Sequence, residues 1–365
     1  MKQTYPRTLQ IVQHLAPGGI ESIALDFLDH SENCFVLSLE GTRSESMTQW
    51  PRLARYDAKI NFADKKSGLD FGLPGRIVRL IKSLGIEVVH THHIGPMLYG
   101  GLAARMAGVK CSLHTHHDSW HLADDKASRL TRWANRFLGP INVANAKGVA
   151  GEVERRAKCD VRTIYNGIDT HRFRPADRDD SLARFELDPS KTWVGCAGRL
   201  TPVKGQDLLL KAFVDLPDHV HLAIAGAGEQ SDSLKQLTEQ LGITDRVRFL
   251  GLVEDMPAFY SAMDLYCMPS RNEGFPLAPL EAQACGTPCV VTHVGSSIEA
   301  ICPESGLAVE ANSPDALRDG LAKQLDQLEQ LHRPRHFVMK DKDVRSMVDA
   351  YSTLASSILA TRGAA

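Results

Sequence analysis

The chain places the same folding unit, a strand followed by a glycine turn and a helix, at the start of each of its two halves. In the first half, a strand at 9–15 and a helix at 20–28 flank a glycine pair. In the second half, a strand from Trp193 and a helix at 206–213 flank a similar turn. Strands that alternate with helices favour a parallel, doubly wound sheet, because each parallel connection needs a crossover. The sequence therefore predicts an α/β protein with two similar domains.

Length and composition agree with two ordinary globular domains. The 365 residues are enough for two hydrophobic cores, and the polar tract 174–180 is interpreted as the linker between them. The formal net charge of −2 provides no general attraction for nucleic acid. We find no run of about 18 apolar residues, the length that spans a membrane, and the N-terminal residues lead into a strand rather than a signal segment. We expect a cytoplasmic protein that binds no nucleic acid.

The eight cysteines are scattered along the chain, and no two of them form a CxxC pair. Several lie inside apolar, strand-like runs. This distribution is typical of buried free thiols in a reducing compartment.

The stretch 273–289 combines a glycine-containing turn, a short helix and a following strand. We expect Pro276 to be an early helical residue, with Glu273 just before the helix and Glu281 about two turns inside it. Backbone N–H groups at such a helix start bind anions. The two carboxylates would repel a phosphate and suit hydroxyl groups beside it. A phosphate next to many hydroxyls describes a nucleotide sugar.

Two cations at another strand-to-helix turn suit a diphosphate. Arg199 and Lys204 flank the turn that precedes the helix 206–213, and together with helix N–H groups they could hold a diphosphate without a metal ion. Gly226 follows the next strand and would allow close backbone approach. Each feature alone is more often surface charge or a tight connection. Their position at neighbouring strand ends favours a binding site.

Two histidine pairs follow successive strands of the first half: His90 with His92, and His114 with His116. Alternate residues of a strand point to the same face, as a metal site often requires. No carboxylate-and-histidine set in the second half completes such a site. Strand-end histidines also bind oxygen-rich ligands or act in acid–base chemistry, so both interpretations stay open.

An amphipathic helix is predicted at 126–137, with Leu130, Trp133 and Phe137 on one side. Its basic flank consists of Lys126, Arg129, Arg132 and Arg136. A helix of this kind could rest on an anionic membrane. The interpretation that we favour is that the apolar side packs on the sheet and the basic side is solvated.

The stretch from Glu273 to Glu281 also matches a motif, E-x7-E, and the chain resembles the retaining glycosyltransferases of family 4, which have the GT-B fold. The further matches are Gly18-Gly19-Ile20-Glu21, Asn166-Gly167-Ile168-Asp169, Gly198-Arg199 with Lys204-Gly205, Gly226-Ala227-Gly228, and Asp264-Leu265 with Pro269-Ser270. They are spread over nearly the whole chain, which makes the motif specific in this context.

The resemblance implies two Rossmann-like, doubly wound parallel-sheet domains that face each other across a cleft. Residues 1–170 would form the acceptor-side domain and residues 171–340 the domain that binds the nucleotide-sugar donor. Residues 341–365 would contain a helix that crosses back to the first domain, and an apolar pattern predicts a helix at 344–359.

The resemblance also implies roles for individual residues. Arg199 and Lys204 would bind the diphosphate, Glu273 the hydroxyls of the donor sugar, and Glu281 the ribose. His117, in Thr115-His116-His117, would lie near the anomeric carbon, with His116 as the alternative. The residues expected to act in catalysis are His117, Glu273, Arg199 and Lys204. The residues expected to bind the donor are Gly18, Gly19, Arg199, Lys204, Gly226, Glu273, Gly274, Phe275, Pro276, Leu277 and Glu281. No metal ion is expected.

The sequence departs from the family pattern at two places, and these departures bear on which donor is bound more than on whether the protein is active. A paired glycine is replaced in Gly295-Ser296-Ser297, and a serine that is common after an inner strand is replaced around Asn145. Neither departure removes a charged contact.

The predicted reaction is the transfer of a sugar, from a UDP-sugar in our expectation, to a hydroxyl of a glycan or lipid-linked acceptor in cell-surface polysaccharide or glycoconjugate synthesis. No cofactor is expected beyond the donor, and the protein could contact the inner membrane surface peripherally. If 273–281 were wholly helical, the two glutamates would lie about 12 Å apart, too far for the carboxyl pair of a retaining glycosidase at about 5–5.5 Å. The alternatives are a nucleotide-sugar epimerase, a metal-dependent hydrolase built on the histidine pairs, and an inactive binding subunit.

Overall fold

The computed structural model describes residues 5–331 and 334–363. The chain folds into two compact units. The first unit takes in the chain up to Asn166 together with the segment from Val344 onwards, and the second unit is Gly167–Asp343.

The first unit is built on a parallel sheet of seven strands in the order β3-β2-β1-β4-β5-β6-β7. The strands are β1 (Thr8–Val12), β2 (Cys34–Ser38), β3 (Ile60–Phe62), β4 (Val88–His92), β5 (Cys111–His116), β6 (Ile141–Ala144) and β7 (Val161–Thr163). The α-helices are α1 (Gly19–His30), α2 (Arg43–Gln49), α3 (Leu73–Leu84), α4 (Ile94–Ala107), α5 (Asp125–Leu138) and α6 (Lys147–Ala157). In this doubly wound order β1 lies between β2 and β4. The carboxyl ends of these strands therefore lie beside the turn before α1.

The central strands are buried on both faces, as parallel strands covered by helices must be. All five residues of β1 and all five of β4 are buried. Three helices of this unit end at left-handed glycines, Gly85 after α3, Gly108 after α4 and Gly139 after α5. Glycine can adopt positive φ without a Cβ penalty. One core cluster forms between β1, β4 and the inner faces of α3 and α4.

The second unit is built on a parallel sheet of six strands in the order β10-β9-β8-β11-β12-β13. The strands are β8 (Thr192–Ala197), β9 (Val220–Ala225), β10 (Val247–Gly251), β11 (Leu265–Met268), β12 (Cys289–Thr292) and β13 (Leu307–Val309). The α-helices are α7 (Arg178–Arg184), α8 (Gln206–Phe213), α9 (Ser231–Gln240), α10 (Met256–Ala262), α11 (Ala278–Ala284), α12 (Pro314–Asp326) and α13 (Arg335–Asp341). Its core is largely aliphatic, with Leu209, Phe213 and Leu222 fully buried.

The last helix, α14 (Val344–Gly363), belongs to the first unit. It packs against α1 and β5, and the Tyr351 hydroxyl lies 2.8 Å from the Thr115 hydroxyl at the end of β5. Its buried face consists of Val344, Met347, Val348, Tyr351, Leu354, Ala355 and Ile358.

The tract 174–180 is not a linker between the two units, so that interpretation was wrong. It lies inside the second unit, and Asp177 caps the start of α7 by accepting a hydrogen bond from the Asp180 backbone N–H. Arg178 of this tract forms an ion pair with Asp264 at 2.9 Å. The acidic residues Asp177, Asp179 and Asp180 of this tract lie at the start of α7, where negative charge favours a helix.

All eight cysteines are free; Cys159 is half-buried and the other seven are buried. Within 5–331 and 334–363, none of the helices is both long and apolar enough to cross a membrane.

Candidate functional site

A pocket of about 280 Å³ lies at the carboxyl ends of β8 and β9, within the second unit. Its lining residues include Arg199, Gly226, Leu252, Met256, Tyr260 and Glu281. Strand ends are the usual ligand edge of an open parallel sheet. The pocket is apolar on the side of Leu252 and Met256 and carries charge at Arg199 and Glu281. This combination suits a flat ring joined to polar groups.

Lys204 and Glu273 come together beside this edge, although 69 positions separate them. The Lys204 Nζ atom lies 2.6 Å from Glu273 Oε1, and the Ser270 hydroxyl donates to the same oxygen at 2.7 Å. The Glu273 side chain is only 10% exposed and that of Lys204 27%. Such a partly desolvated pair is held in one geometry by the added hydrogen bond.

Arg199 follows β8 and is exposed. In the part of the chain that the structure describes, its side chain makes no hydrogen bond and no ion pair. A guanidinium that is unpaired and adjoins a pocket is available to an anionic ligand.

Glu281 has a different environment from Glu273. The Tyr260 hydroxyl donates to Glu281 Oε2 at 2.7 Å. Burial raises the pKa of Glu281, an effect opposed by that hydrogen bond and by the charge of Arg172. The two glutamates of the motif are therefore held by separate partners, which agrees with two separate binding roles.

The helix of this stretch begins later than the sequence predicted. It starts at Ala278, so Pro276 lies outside it and Glu281 lies in its first turn. Both expectations were wrong for one reason: Pro276 and Pro279 each suit a first helical turn, and the later proline occupies it. Phe275 and Pro276 are buried in the turn that precedes the helix, whereas Gly274 and Leu277 are half-buried.

Glycines bring the backbone segments of this edge into contact. A Cβ on Gly226, whose φ is 145°, would lie 1.9 Å from the Gly198 carbonyl oxygen. A Cβ on Gly295, whose φ is 52°, would lie 1.8 Å from the Glu273 carbonyl oxygen. The Ser296 N–H donates to the Gly274 carbonyl at 2.9 Å. Gly295 and Ser296 thus hold the 273–274 turn, in the segment that departs from the family pattern.

In the first unit, His117 follows β5 and is half-buried. Its Nε2 atom lies 2.8 Å from His92 Nδ1, and Asn145 donates to its backbone carbonyl at 3.2 Å. Burial lowers the pKa of His117 well below the usual range, and neighbouring His92 lowers it further. His116 is buried and pairs with Asn142 at 3.0 Å. Of the two candidates, His117 is the more accessible.

Gly18 and Gly19 lie in the turn between β1 and α1, where Gly18 caps the helix and Gly19 is its first residue. A Cβ on Gly18 would lie 2.3 Å from Glu21 Oε2, so the turn has no room for a side chain there unless Glu21 moves. Both glycines belong to the first unit, whereas the Arg199, Lys204, Gly226, Glu273 and Glu281 group belongs to the second.

The paired histidines bond to protein groups. His90 Nε2 lies 2.7 Å from the Thr115 hydroxyl, and His92 Nε2 lies 2.8 Å from Gln10 Oε1. The Thr91 hydroxyl lies 2.9 Å from His114 Nδ1. Among residues 5–331 and 334–363, no three or more His, Cys, Asp or Glu side chains are grouped to hold a metal ion.

Helix α5 buries a different face from the one predicted, so the packing interpretation was wrong. Its buried residues are Ser128, Thr131 and Ala134. Trp133 and Phe137 are each 50% exposed, with ring centroids 5.1 Å apart. The small buried side chains let α5 approach α4 and α6 closely, and this packing, rather than side-chain hydrophobicity, decides which face is covered.

The sequence predicts no role for three residues that hold site side chains. Gln10, Tyr260 and Ser270 bind His92, Glu281 and Glu273, respectively. Ser270 was noted as part of a motif without a role. The partners of Gln10 and Tyr260 are distant in sequence, and neither residue type nor spacing indicates them.

Comparison with known proteins covers both units. Residues 17–172 match Glycosyltransferase Family 4, and residues 177–338 match Glycosyl transferases group 1. The chain is 30% identical over 359 residues to the GDP-mannose-dependent alpha-(1-6)-phosphatidylinositol monomannoside mannosyltransferase of Mycobacterium tuberculosis, with 87% of this chain and 89% of that protein covered.

A second relative is the D-inositol 3-phosphate glycosyltransferase of Salinispora tropica, 35% identical over 276 residues. That match covers 66% of this chain and 56% of the relative, so the chain spans about half the length of that protein. Among solved structures, HepE of Anabaena in complex with UDP has the same fold, with a TM-score of 0.84 at 21% identity, covering 96% of this chain and 100% of HepE.

The two matched families, the two parallel sheets and the site at the strand ends of the second sheet define a GT-B protein. The chain belongs to the family 4 glycosyltransferases.

Proposed function

We propose that the protein is a retaining glycosyltransferase that moves a sugar from a UDP-sugar to a hydroxyl of a glycan or lipid-linked acceptor, in cell-surface polysaccharide or glycoconjugate synthesis. The observation that carries this proposal is the Lys204–Glu273 pair beside the pocket, with exposed Arg199 at its edge. HepE, which has the same fold, binds UDP. The Mycobacterium tuberculosis relative depends on GDP-mannose, so the base is the first property to test.

The chemistry follows from where charge develops. When the donor bond breaks, negative charge accumulates on the departing diphosphate. Arg199 and Lys204, with N–H groups of the turn at Phe275 and Leu277, stabilise that charge in the role that a metal ion would otherwise have. Glu273 accepts hydrogen bonds from sugar hydroxyls, and Glu281 accepts them from the ribose. The acceptor hydroxyl oxygen attacks the anomeric carbon from the face that the diphosphate leaves, and the hydroxyl proton passes to the departing diphosphate. Attack on that face retains the anomeric configuration.

The first unit supplies groups for the sugar and the acceptor. We assign to His117 a contact with the reacting sugar near its anomeric carbon. Gly18 and Gly19 let the backbone approach phosphate or acceptor, because no side chain stands in the turn before α1.

A thermal-shift screen tests the donor. UDP, GDP, ADP and their sugars are compared on the full chain, and UDP compounds should raise the unfolding temperature most. A ligand at one hundred times its Kd stabilises a protein by about 2.7 kcal/mol, which a thermal shift resolves. If only GDP compounds raise the unfolding temperature, the proposed donor becomes a GDP-sugar instead of a UDP-sugar.

Turnover assays separate the alternatives. Transfer that continues in excess chelator supports a metal-independent reaction. Loss of activity to chelator, together with bound zinc or manganese, would support a hydrolase built on His90, His92, His114 and His116. Conversion of the donor without an acceptor would indicate an epimerase, and binding without turnover an inactive subunit.

A lipid surface as a partner is supported by the exposed face of α5. Two residues of α4, Leu102 and Met106, are 40% and 57% exposed, and Leu130 is 40% exposed. Arg105 of α4 donates to the Phe137 carbonyl at 2.9 Å, which places the two exposed faces side by side. We name the α5 surface as the set Leu102, Met106, Leu130, Trp133, Phe137, Lys126, Arg129, Arg132 and Arg136.

The α5 surface combines aromatic groups with positive charge. Helix α5 contains four basic residues and one acidic residue. Exposed tryptophan and phenylalanine beside arginines match the boundary between anionic headgroups and acyl chains. We propose peripheral binding at the cytoplasmic face of an anionic membrane, where a lipid-linked acceptor would be found.

Vesicle sedimentation tests this partner. The chain should bind phosphatidylglycerol vesicles at low salt and bind phosphatidylcholine vesicles weakly. The variant Trp133→Ala with Phe137→Ala should lose binding. The matched control is Met339→Ala, a substitution at an equally exposed apolar residue (52%) of the second unit. Equal binding of wild type and the α5 variant would overturn the membrane assignment and leave the donor assignment intact.

A further inference from the structure

Three side chains of the first unit, two on neighbouring strands and one just after a third strand, form a line that ends at His117. Gln10 lies in the middle of β1, His92 at the end of β4, and His117 just after β5. His92 Nε2 lies 2.8 Å from Gln10 Oε1, and His92 Nδ1 lies 2.8 Å from His117 Nε2. Gln10 is fully buried and His92 is 1% exposed. Burying polar side chains in a parallel sheet is costly unless each is hydrogen-bonded.

The Gln10 amide oxygen at one end of the line fixes the direction of the hydrogen bonds. An amide oxygen accepts but does not donate, so the proton of His92 lies on Nε2. Burial lowers the pKa of both His92 and His117 well below the usual range, so each ring is neutral and carries one N–H. His92 Nδ1 is then an acceptor, and His117 Nε2–H donates to it. The remaining nitrogen, His117 Nδ1, carries a lone pair.

The orientation of the Gln10 amide is consistent with this direction. Its Nε2 atom is buried and, among the described residues, has no hydrogen-bond partner. Burial raises the pKa of the nearby Cys34 thiol to about 12, an effect that Gln10 opposes in part. The oxygen of the amide is the atom that faces His92. The His92 ring is also confined by His90, whose ring centroid lies 4.4 Å away.

The last atom of the line has no partner. His117 Nδ1 is buried and, in the described part of the chain, has no hydrogen-bond partner. An unprotonated ring nitrogen that is desolvated and unsatisfied is a strong acceptor for a hydroxyl group.

We propose that Gln10 and His92 are positioning residues for His117: they hold it as the Nε2–H tautomer and leave Nδ1 as the acceptor for a substrate hydroxyl. This inference rests on the proposed function, since it assigns His117 to the sugar or acceptor. It extends that function by naming two residues that do not touch substrate and the nitrogen that does.

Tautomer detection by NMR tests the line without any substrate. In protein labelled with ¹⁵N-histidine, His117, assigned by its loss in His117→Gln, should give the Nε2–H pattern. Gln10→Met removes the acceptor at similar shape, and His117 should then show a mixed or inverted pattern. Gln10→Glu retains an acceptor and should restore the wild-type pattern. The matched control, His114→Asn, changes a buried β5 histidine outside the line and should leave the His117 pattern unchanged.

Steady-state kinetics provide the second readout. Gln10→Met should lower kcat by at least about tenfold, because a histidine in the wrong tautomer loses much of its catalytic effect. KM for the donor should change less than about twofold, since no binding contact is removed. Gln10→Glu should recover most of kcat, and thermal unfolding of each variant identifies a loss that is merely structural.

The outcomes separate this inference from the function on which it rests. A wild-type pattern in Gln10→Met, in a protein that transfers sugar normally, would overturn the positioning role and leave the glycosyltransferase assignment standing. The expected tautomer change in a protein with no transferase activity would instead contradict the proposed function.

Discussion

At the scale of single residues, Lys204 and Glu273 form the charged pair on which the proposed mechanism depends. The Lys204 Nζ atom neutralises Glu273 at 2.6 Å, yet in the proposed mechanism both groups bind the donor, the lysine its diphosphate and the glutamate its sugar. A donor that enters would exchange one charged contact for two. The ion pair compensates two partly desolvated charges, so the loss of either partner leaves the other costly.

Lys204→Ala should weaken donor binding and lower turnover together. The substitution removes a cation from the diphosphate and leaves the Glu273 carboxylate unpaired beside it. Loss of one group that stabilises the transition-state charge costs roughly one hundredfold to a thousandfold in kcat. Isothermal titration with the donor nucleotide and initial-rate kinetics measure the two effects.

The matched control is Lys211→Ala, an exposed lysine on α8 of the same unit. It should behave as wild type in both measurements. Unchanged kinetics in Lys204→Ala would remove Lys204 from the site.

At the scale of elements, two contrasting outcomes come from α5 and α11. Both helices have a recognisable pattern, and the sequence predicted that both exist. For α5 the periodicity predicts the helix correctly but predicts the wrong buried face, because close packing with neighbours, which periodicity does not describe, chooses the face. For α11 the start was misplaced because two prolines satisfied the same local rule.

The turn after β9, which contains Gly226, is expected to tolerate no side chain. Gly226→Ala should lower the free energy of unfolding by more than a simple positive-φ penalty, because its Cβ would collide with the Gly198 carbonyl. The comparison is Gly242→Ala, at φ 67° with nothing within 4 Å of the added Cβ, where strain alone costs about 1–2 kcal/mol. Urea unfolding measures both. Equal losses of unfolding free energy in the two variants would mean that the Gly226 turn does not contact the Gly198 turn.

At the scale of the whole molecule, the buried histidines make stability depend on pH. Burial lowers the pKa of His90 to about 3, and lowers the pKa of His92, His114 and His117 well below the usual range. An unfolded histidine has a pKa of about 6.5. Below that pH the unfolded chain binds protons that the folded chain does not, so stability is fully present above about pH 6.5 and is lost as the pH falls.

The expected slope is about 1.4 kcal/mol per pH unit for each such histidine. Urea unfolding should show a much lower free energy of unfolding at pH 5 than at pH 7 in wild type. His90→Gln should reduce the slope of this free energy with pH by the contribution of one histidine. The control is His171→Gln, at an exposed histidine of the second unit, which should keep the wild-type slope. A slope that His90→Gln does not change would contradict the buried, neutral state of His90.

The sequence by itself determined the two parallel α/β units, the stretch around Glu273 and Glu281, and the family. These features depend on residues that are close together in the chain: the periodicity of strands and helices, the glycine turns and the spaced motif. A sequence shows such local relations directly. The tertiary structure alone decided which atoms meet. Lys204 pairs with Glu273 and Gln10 with His92 because strands distant in the chain are adjacent in a sheet. Tyr260 pairs with Glu281 because α10 packs against α11, and α5 exposes its aromatic face because packing, not hydrophobicity, sets helix orientation.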